Sequence, residues 1–449
     1  DEVITKPLMA TLPMPGKIAG QKNYNTTNVT EITFANGARV VLKPTDFKND
    51  EILFNAFSFG GSSLVPEADD PNADFASSII GQSGVGDFTQ TELNKYLAGR
   101  QIFMNFYISE VSEGIGFGTC TKADLETAMQ MLHLYFTQPR KDEQAFQTWL
   151  TQQRAALENK GNRPESVFQD SVSYILGGYN KRRKPTTLET LNSLSLDRIH
   201  QIFKERFANG GDFTFLFTGS FDPEEMKKLT ATYIGSLPGK PQVEKFVDLK
   251  ILPPTGNLEK SVAKGIEPKS TVRLVFTGDA MYNQQNALEM EAMISLLQIK
   301  LREAIREDKG GTYGVSVFGS VSKYPAGRYM LNVSFNCAPE RAAELEKVAI
   351  ETLEKVKREG AEEKDIVKVK EMRRRGLETD FKENNFWSGT LQRVYFNGVP
   401  MADYESAEKL YTYHDKLASD DFKRLANQYV DMKNMLKFTM LPEPKVEKP

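Results

Sequence analysis

Histidine and cysteine are both scarce in this chain. Its 449 residues hold three histidines, His133, His200 and His414, and two cysteines, Cys120 and Cys337. The histidines are separated by 67 positions (133 to 200) and 214 positions (200 to 414). No two can therefore lie four apart on one helical face, which excludes a two-histidine helical zinc site within the chain. Two cysteines are too few for a Cys-rich zinc site or a disulfide scaffold. Neither stands in an electropositive setting that would favour a thiolate. No stretch approaches the ~18 uninterrupted apolar residues of a membrane-spanning helix. The net charge is −3, and nothing in the charge pattern points to nucleic acid. The basic runs at 181–184 (Lys-Arg-Arg-Lys) and 373–375 (three arginines) read as solvated faces. Gly-x-Ser-x-Gly, a P-loop and a Gly-x-Gly-x-x-Gly fingerprint after a strand are all missing, so these sequence signatures for a serine hydrolase or a nucleotide site are absent.

What is present is ordinary for a globular protein: 40% hydrophobic and 26% charged residues, in a chain long enough for two cored domains. Residues 1–27, with three prolines and no apolar period, read as an extended N-terminal linker that packs on a surface or joins to something upstream, and the abrupt start suggests a fragment or a processed form. Asn36-Gly37 marks a hairpin. Residues 51–61 alternate like a strand, and 72–82 look helical. Thr89 and Glu92 have capping-box spacing before a short helix. Strands are predicted at about 102–108 and 112–119. Thr121 is read as the cap of a helix through Phe136, and polar helices follow at about 142–159 and 164–176. Residues 212–239 read as strand, turn and helix, with Asp222 at the N-cap and Pro223 first in the helix. The proline-rich stretch 238–257 is read as an inter-domain linker.

The second half repeats the first. A strand, a cysteine and a helix recur at Cys120 and Cys337, an offset of 217 (337 − 120), and the next polar helices begin near Asp142 and Glu363, an offset of 221 (363 − 142). Order kept at a nearly constant offset indicates an internal duplication. The expected fold class is α+β: two homologous domains, 28–245 and 246–449, each an antiparallel or mixed sheet packed with helices. The two cysteines then read as equivalent small core residues and not as a bonded pair.

The stretch with chemical content is 299–319. Met290, Met293, Leu297, Leu301 and Ile305 share one helical face, Gly310-Gly311 breaks the helix, and residues 313–317 alternate like a strand. Arg306 is thus placed at a helix end and Tyr313 at a strand start. A guanidinium and a phenol so placed can donate to a carbonyl oxygen or a developing oxyanion. A surface arginine and a half-buried tyrosine flanking an ordinary loop would leave the same spacing.

The pattern Arg306-Glu307-x-x-Gly310-x-x-Tyr313 resembles the C-terminal signature of the pitrilysin/insulinase (inverzincin) family of zinc metallopeptidases. Residues 86–99 and 212–239 add to the resemblance, which extends over nearly the whole chain after about residue 28. It implies metallopeptidase-type α/β-roll domains. It also implies that Arg306 and Tyr313 bind the scissile carbonyl and oxyanion, with Gly310 and Gly311 beside the substrate. The family holds zinc through His-x-x-Glu-His. Here Asp74, Ser77 and Ser78 stand at the positions of the first His, the Glu and the second His, and Glu158 lies roughly where a third ligand falls. The resemblance therefore implies no metal in this chain, with zinc expected in a complementary N-terminal half on the same polypeptide or a separate subunit. The implied reading is the substrate-binding, non-catalytic C-terminal half of an endopeptidase acting on unstructured peptides, inactive by itself, with no nucleic acid and no membrane span. A non-peptidase scaffold or a peptide-binding subunit of the same fold is the alternative. The sequence leaves the compartment open; periplasmic or secreted is the expectation for a bacterial chain.

Overall fold

The computed structural model describes residues 3–307 and 312–446. Its contacts divide the chain into two units, each discontinuous in sequence: 1–154, 187–249 and 379–405 form the first, and 155–186, 250–378 and 406–449 the second.

The first unit is built on seven strands: β1 (Ile18–Tyr24), β2 (Val29–Phe34), β3 (Arg39–Pro44), β4 (Ile52–Phe59), β5 (Ile102–Ile108), β6 (Ser112–Cys120) and β7 (Thr214–Gly219). They lie in the order β1-β2-β3-β7-β4-β6-β5. Every neighbouring pair is antiparallel except β3 with β7. The second unit has β8 (Leu258–Ala263), β9 (Ser270–Asp279), β10 (Thr312–Ser322), β11 (Arg328–Cys337) and β12 (Met435–Leu441), in the order β10-β11-β9-β12-β8. Again one pair, β8 with β12, is parallel. Read as β3-β7-β4-β6-β5 and β8-β12-β9-β11-β10, the two sheets have the same order, chain sequence and parallel pair. The internal duplication is therefore visible in the topology itself, with β1 and β2 added to the first copy.

Both faces of each central strand are apolar. All six residues of β7 are buried, as are the first seven of β4. Such strands require a cover on each side. In the second unit, Val272, Leu274 and Phe276 of β9 face the helices Gln284–Leu301, Ala342–Glu359 and Ser419–Tyr429. The alternate residue Val275 joins Leu436, Phe438 and Met440 of β12 against Phe168, Val172 and Ile175 of the helix Pro164–Leu176. In the first unit, Val41, Phe57 and Leu216 meet the helix Asn384–Gln392 and the π-helical turn Arg393–Asn397, with Phe396 edge-on to Phe57 at 5.1 Å. Each sheet thus takes its second cover from the opposite half of the sequence, which is why the units are discontinuous.

Local signals account for many element ends. The Thr89 and Glu92 capping box forms, with both reciprocal bonds at 3.2 Å. Asp222 accepts from the Glu225 N–H at 3.0 Å, and Pro223 opens that helix. Two expectations are corrected. The helix expected to be capped by Thr121 starts at Leu125, because the Asp124 carboxylate is held back by the Thr121 hydroxyl (3.0 Å) and the Gln101 N–H (2.8 Å). Residues 1–27 are not all linker. Residues 18–24 are β1, whose polar side chains leave no apolar period because the strand sits exposed at a sheet edge, and Leu8 is buried with Val85, Phe88 and Leu93.

Cys120 and Cys337 end equivalent strands, and both are buried free thiols. Burial pushes Cys120 up to about 12 and also raises Cys337. Neither should react with a disulfide-exchange reagent in the native protein, and both should react after denaturation, as read by thiol titration. On the second face of the first sheet, Lys43 is 8% exposed, its ammonium donating to the Thr27 carbonyl 4.2 Å from the Trp387 ring centre. Burial lowers its pKa from 10.5 to about 8. Above pH 8 the folded state has released this proton while the unfolded state keeps it up to 10.5, so Lys43 makes stability rise with pH across that window. Denaturation midpoints of Lys43→Met should lose that rise.

Candidate functional site

The helix Gln284–Leu301 starts at Asn283, whose side chain accepts from the Asn286 N–H at 2.7 Å. It does not run regularly to Arg306. After Leu301 it widens into a π-helical turn, Arg302–Glu307, with Ile305 still fully buried. Such turns insert a residue into the helical ladder and are frequent at functional sites. Arg306 belongs to this turn. Tyr313 is the second residue of β10. The β10–β11 register slips between Thr312 and Gly314, where two steps on β10 oppose one on β11, so Tyr313 is the extra residue of a bulge. Bulges re-aim side chains beside active sites. Gly310 and Gly311 lie outside the described residues.

Two contacts that the sequence did not reveal hold these elements. The Gln298 carboxamide donates to the Val315 carbonyl at 2.8 Å and accepts from the Val317 N–H at 2.9 Å. One turn-half later, the Lys300 ammonium meets Asp365 at 3.1 Å, Glu362 at 3.0 Å and Glu303 at 3.5 Å. Burial alone would lower the pKa of Lys300, but its hydrogen bonds to Glu362 and Asp365 outweigh that and raise it. Asp365 is fully buried. The only advance signal was a polar residue at each position next to the apolar stripe Leu297–Leu301–Ile305. A groove of about 500 Å³ opens beside the π-helical turn, lined by Arg302, Glu303, Ile299, Val367, Met372 and Arg375.

Asp74, Ser77 and Ser78 fall on the helix Asp70–Gly81, with Asp74 and Ser78 exposed and Ser77 half-buried. This helix joins β4 to β5, as Gln284–Leu301 leads from β9 towards β10, so both sets of candidate residues occupy the same connection of the duplicated sheet. Glu158 is exposed on the helix Glu143–Gly161. Among the described residues, no group of three or more His, Cys, Asp or Glu could hold a metal ion. The histidines stand apart. His133 and His200 contact the carbonyls of Tyr233 and Pro139, each at 2.8 Å, and burial lowers the pKa of His414 to about 4.

Residues 193–373, which include Arg306 and Tyr313, match the family described as the Peptidase M16 inactive domain. This match takes in less than half of the chain and is a similarity to that inactive domain. It is 28% identical over 429 residues to a "Zinc protease PQQL-like" protein of Arabidopsis thaliana, an alignment covering 91% of this chain and 42% of the relative. The periplasmic protease PqqL of Escherichia coli superposes with a TM-score of 0.82 at 19% identity, over 98% of this chain and 48% of that one. The M16 inactive domain of Pseudomonas fluorescens superposes at 0.71 with 16% identity, over 94% of this chain and 100% of that one. The chain spans about half the length of the curated relatives it matches.

The chain has a duplicated α+β fold, as the solved M16 structures it resembles do, and its sequence contains no His-x-x-Glu-His. No helix among the described residues is long and apolar enough to cross a membrane. The Lys300 cluster carries a stability consequence. Lys300→Met leaves Asp365 buried without its cation, which should cost about 3–5 kcal/mol in denaturant unfolding. Replacing both residues, as Lys300→Met with Asp365→Leu, should cost less.

Proposed function

We propose that this chain is the substrate-binding, non-catalytic half of a zinc-dependent endopeptidase that encloses and cleaves unstructured peptides. The zinc is held by an N-terminal half, on the same polypeptide or a separate subunit, and supplies the activated water. Arg306 donates hydrogen bonds from its guanidinium N–H groups to the substrate backbone carbonyls. Tyr313 donates its phenolic O–H to the oxygen that becomes the oxyanion, where a preorganised donor lowers the barrier. Gly310 and Gly311 leave the substrate backbone room to approach.

The observation that carries this reading is the complete Arg306/Tyr313 pattern in a chain whose three histidines cannot form the family's metal site. The match to an M16 inactive domain and the doubled length of relatives named as zinc proteases support it.

The test is hydrolysis of a quenched fluorescent peptide by the chain alone and by the chain combined with the zinc-bearing half. Activity is expected only on combination. Tyr313→Phe should then lower the turnover on the order of a hundredfold. An unchanged rate would remove Tyr313 from the mechanism. Persistent silence on combination, with a stable complex to a non-peptidase partner, would favour a scaffold.

A further inference from the structure

We infer that Gln298 is a positioning residue that fixes the strand carrying Tyr313 against the helix leading to Arg306; this rests on the function proposed above. Among the described residues β10 is an edge strand, with β11 on one side and no strand on the other. In an antiparallel edge strand, alternate residues turn their N–H and C=O away from the sheet. Val315 and Val317 are two such residues, and the Gln298 carboxamide satisfies one group of each, at 2.8 and 2.9 Å. A primary carboxamide has two N–H donors and a carbonyl acceptor, so one N–H and the oxygen can stand in for a neighbouring peptide group while the second N–H is left over. Gln298 therefore acts as a one-residue strand.

The placement links the two halves of the candidate site. Gln298 precedes Arg306 by eight residues on the helix and π-helical turn. Its partner Val315 follows Tyr313 by two residues on β10. Between them lie the π-helical turn and the bulge, irregular backbone that no regular ladder restrains against displacement. The Gln298 clamp opposes that displacement close to Tyr313 and closes the edge of β10 at Val315–Val317 to a peptide adding there as a strand.

The test uses the full chain, alone and combined with the zinc-bearing half, and compares Gln298→Met and Gln298→Glu. Hydrogen exchange reads the clamp directly in the chain alone. The edge-facing Val317 amide should be protected in the native protein, exposed in Gln298→Met, and still protected in Gln298→Glu, whose carboxylate can accept but not donate. In the combined enzyme, Gln298→Met should lower kcat on the order of tenfold with KM little changed, because misplaced donors cost rate before binding. The same substitution in a Tyr313→Phe background should add no further loss. Unaltered Val317 exchange in Gln298→Met overturns the clamp. Faster exchange with unchanged kcat, while Tyr313→Phe is slow, makes Gln298 structural and overturns its positioning role. If Tyr313→Phe is fully active, the oxyanion role proposed for Tyr313 fails; if the combination is silent, the proposed function itself fails; in either case the exchange result still decides whether the clamp exists.

Discussion

A sheet whose central strands are apolar on both faces is stable only when both are covered. β7 is buried along its whole length, and Val275 points away from Leu274 and Phe276 into a separate apolar cluster. Much else follows from this requirement. It demands the second-face helices Pro164–Leu176 and Asn384–Gln392, and it buries Lys43 beneath Trp387. At roughly 25 cal/mol per Å² of apolar surface removed from water, a bare sheet face would cost far more than any single ion pair in the molecule returns.

The candidate site sits where this regularity is relaxed. A π-helical turn and a β-bulge flank the segment between Arg306 and Tyr313, so both residues stand at irregularities and not within ideal helix or strand. Irregular backbone needs external restraint, and two restraints of different physical kinds are present. Lys300 fixes the helix end by charge, through a fully buried Asp365. Gln298 fixes the strand by directed neutral hydrogen bonds. The first resists displacement broadly, and the second sets direction.

Much of this was legible in the sequence where local chemistry decides the outcome. The helix Pro164–Leu176 matches its expected limits, and the caps at Thr89 and Asp222 form. The resemblance to zinc metallopeptidases rested on the Arg306–Tyr313 pattern, and residues 193–373 around it are the ones that match the Peptidase M16 inactive domain. What escaped depends on distant partners. β1 is exposed and polar, so period-2 patterning is absent; β8 is an edge strand of similar character, Leu-Glu-Lys-Ser-Val-Ala. The helices of 384–429 and β12 carry apolar residues whose partners lie far away in sequence, and a single-sequence reading cannot pair them. Gln298 escaped for the same reason: a glutamine beside an apolar stripe looks like any solvent-facing polar residue until the strand it binds is in place.

The reciprocal origin of the second-face helices bears on the history of the molecule. A second copy of a domain would ordinarily be free to erode or disappear. Here residues from each half of the gene complete the packing of the other copy. Deleting either repeat would strip an apolar face from its sister and cost it solubility as well as stability. The two copies are therefore inherited as one indivisible unit, and each persists for what its chain does in the other.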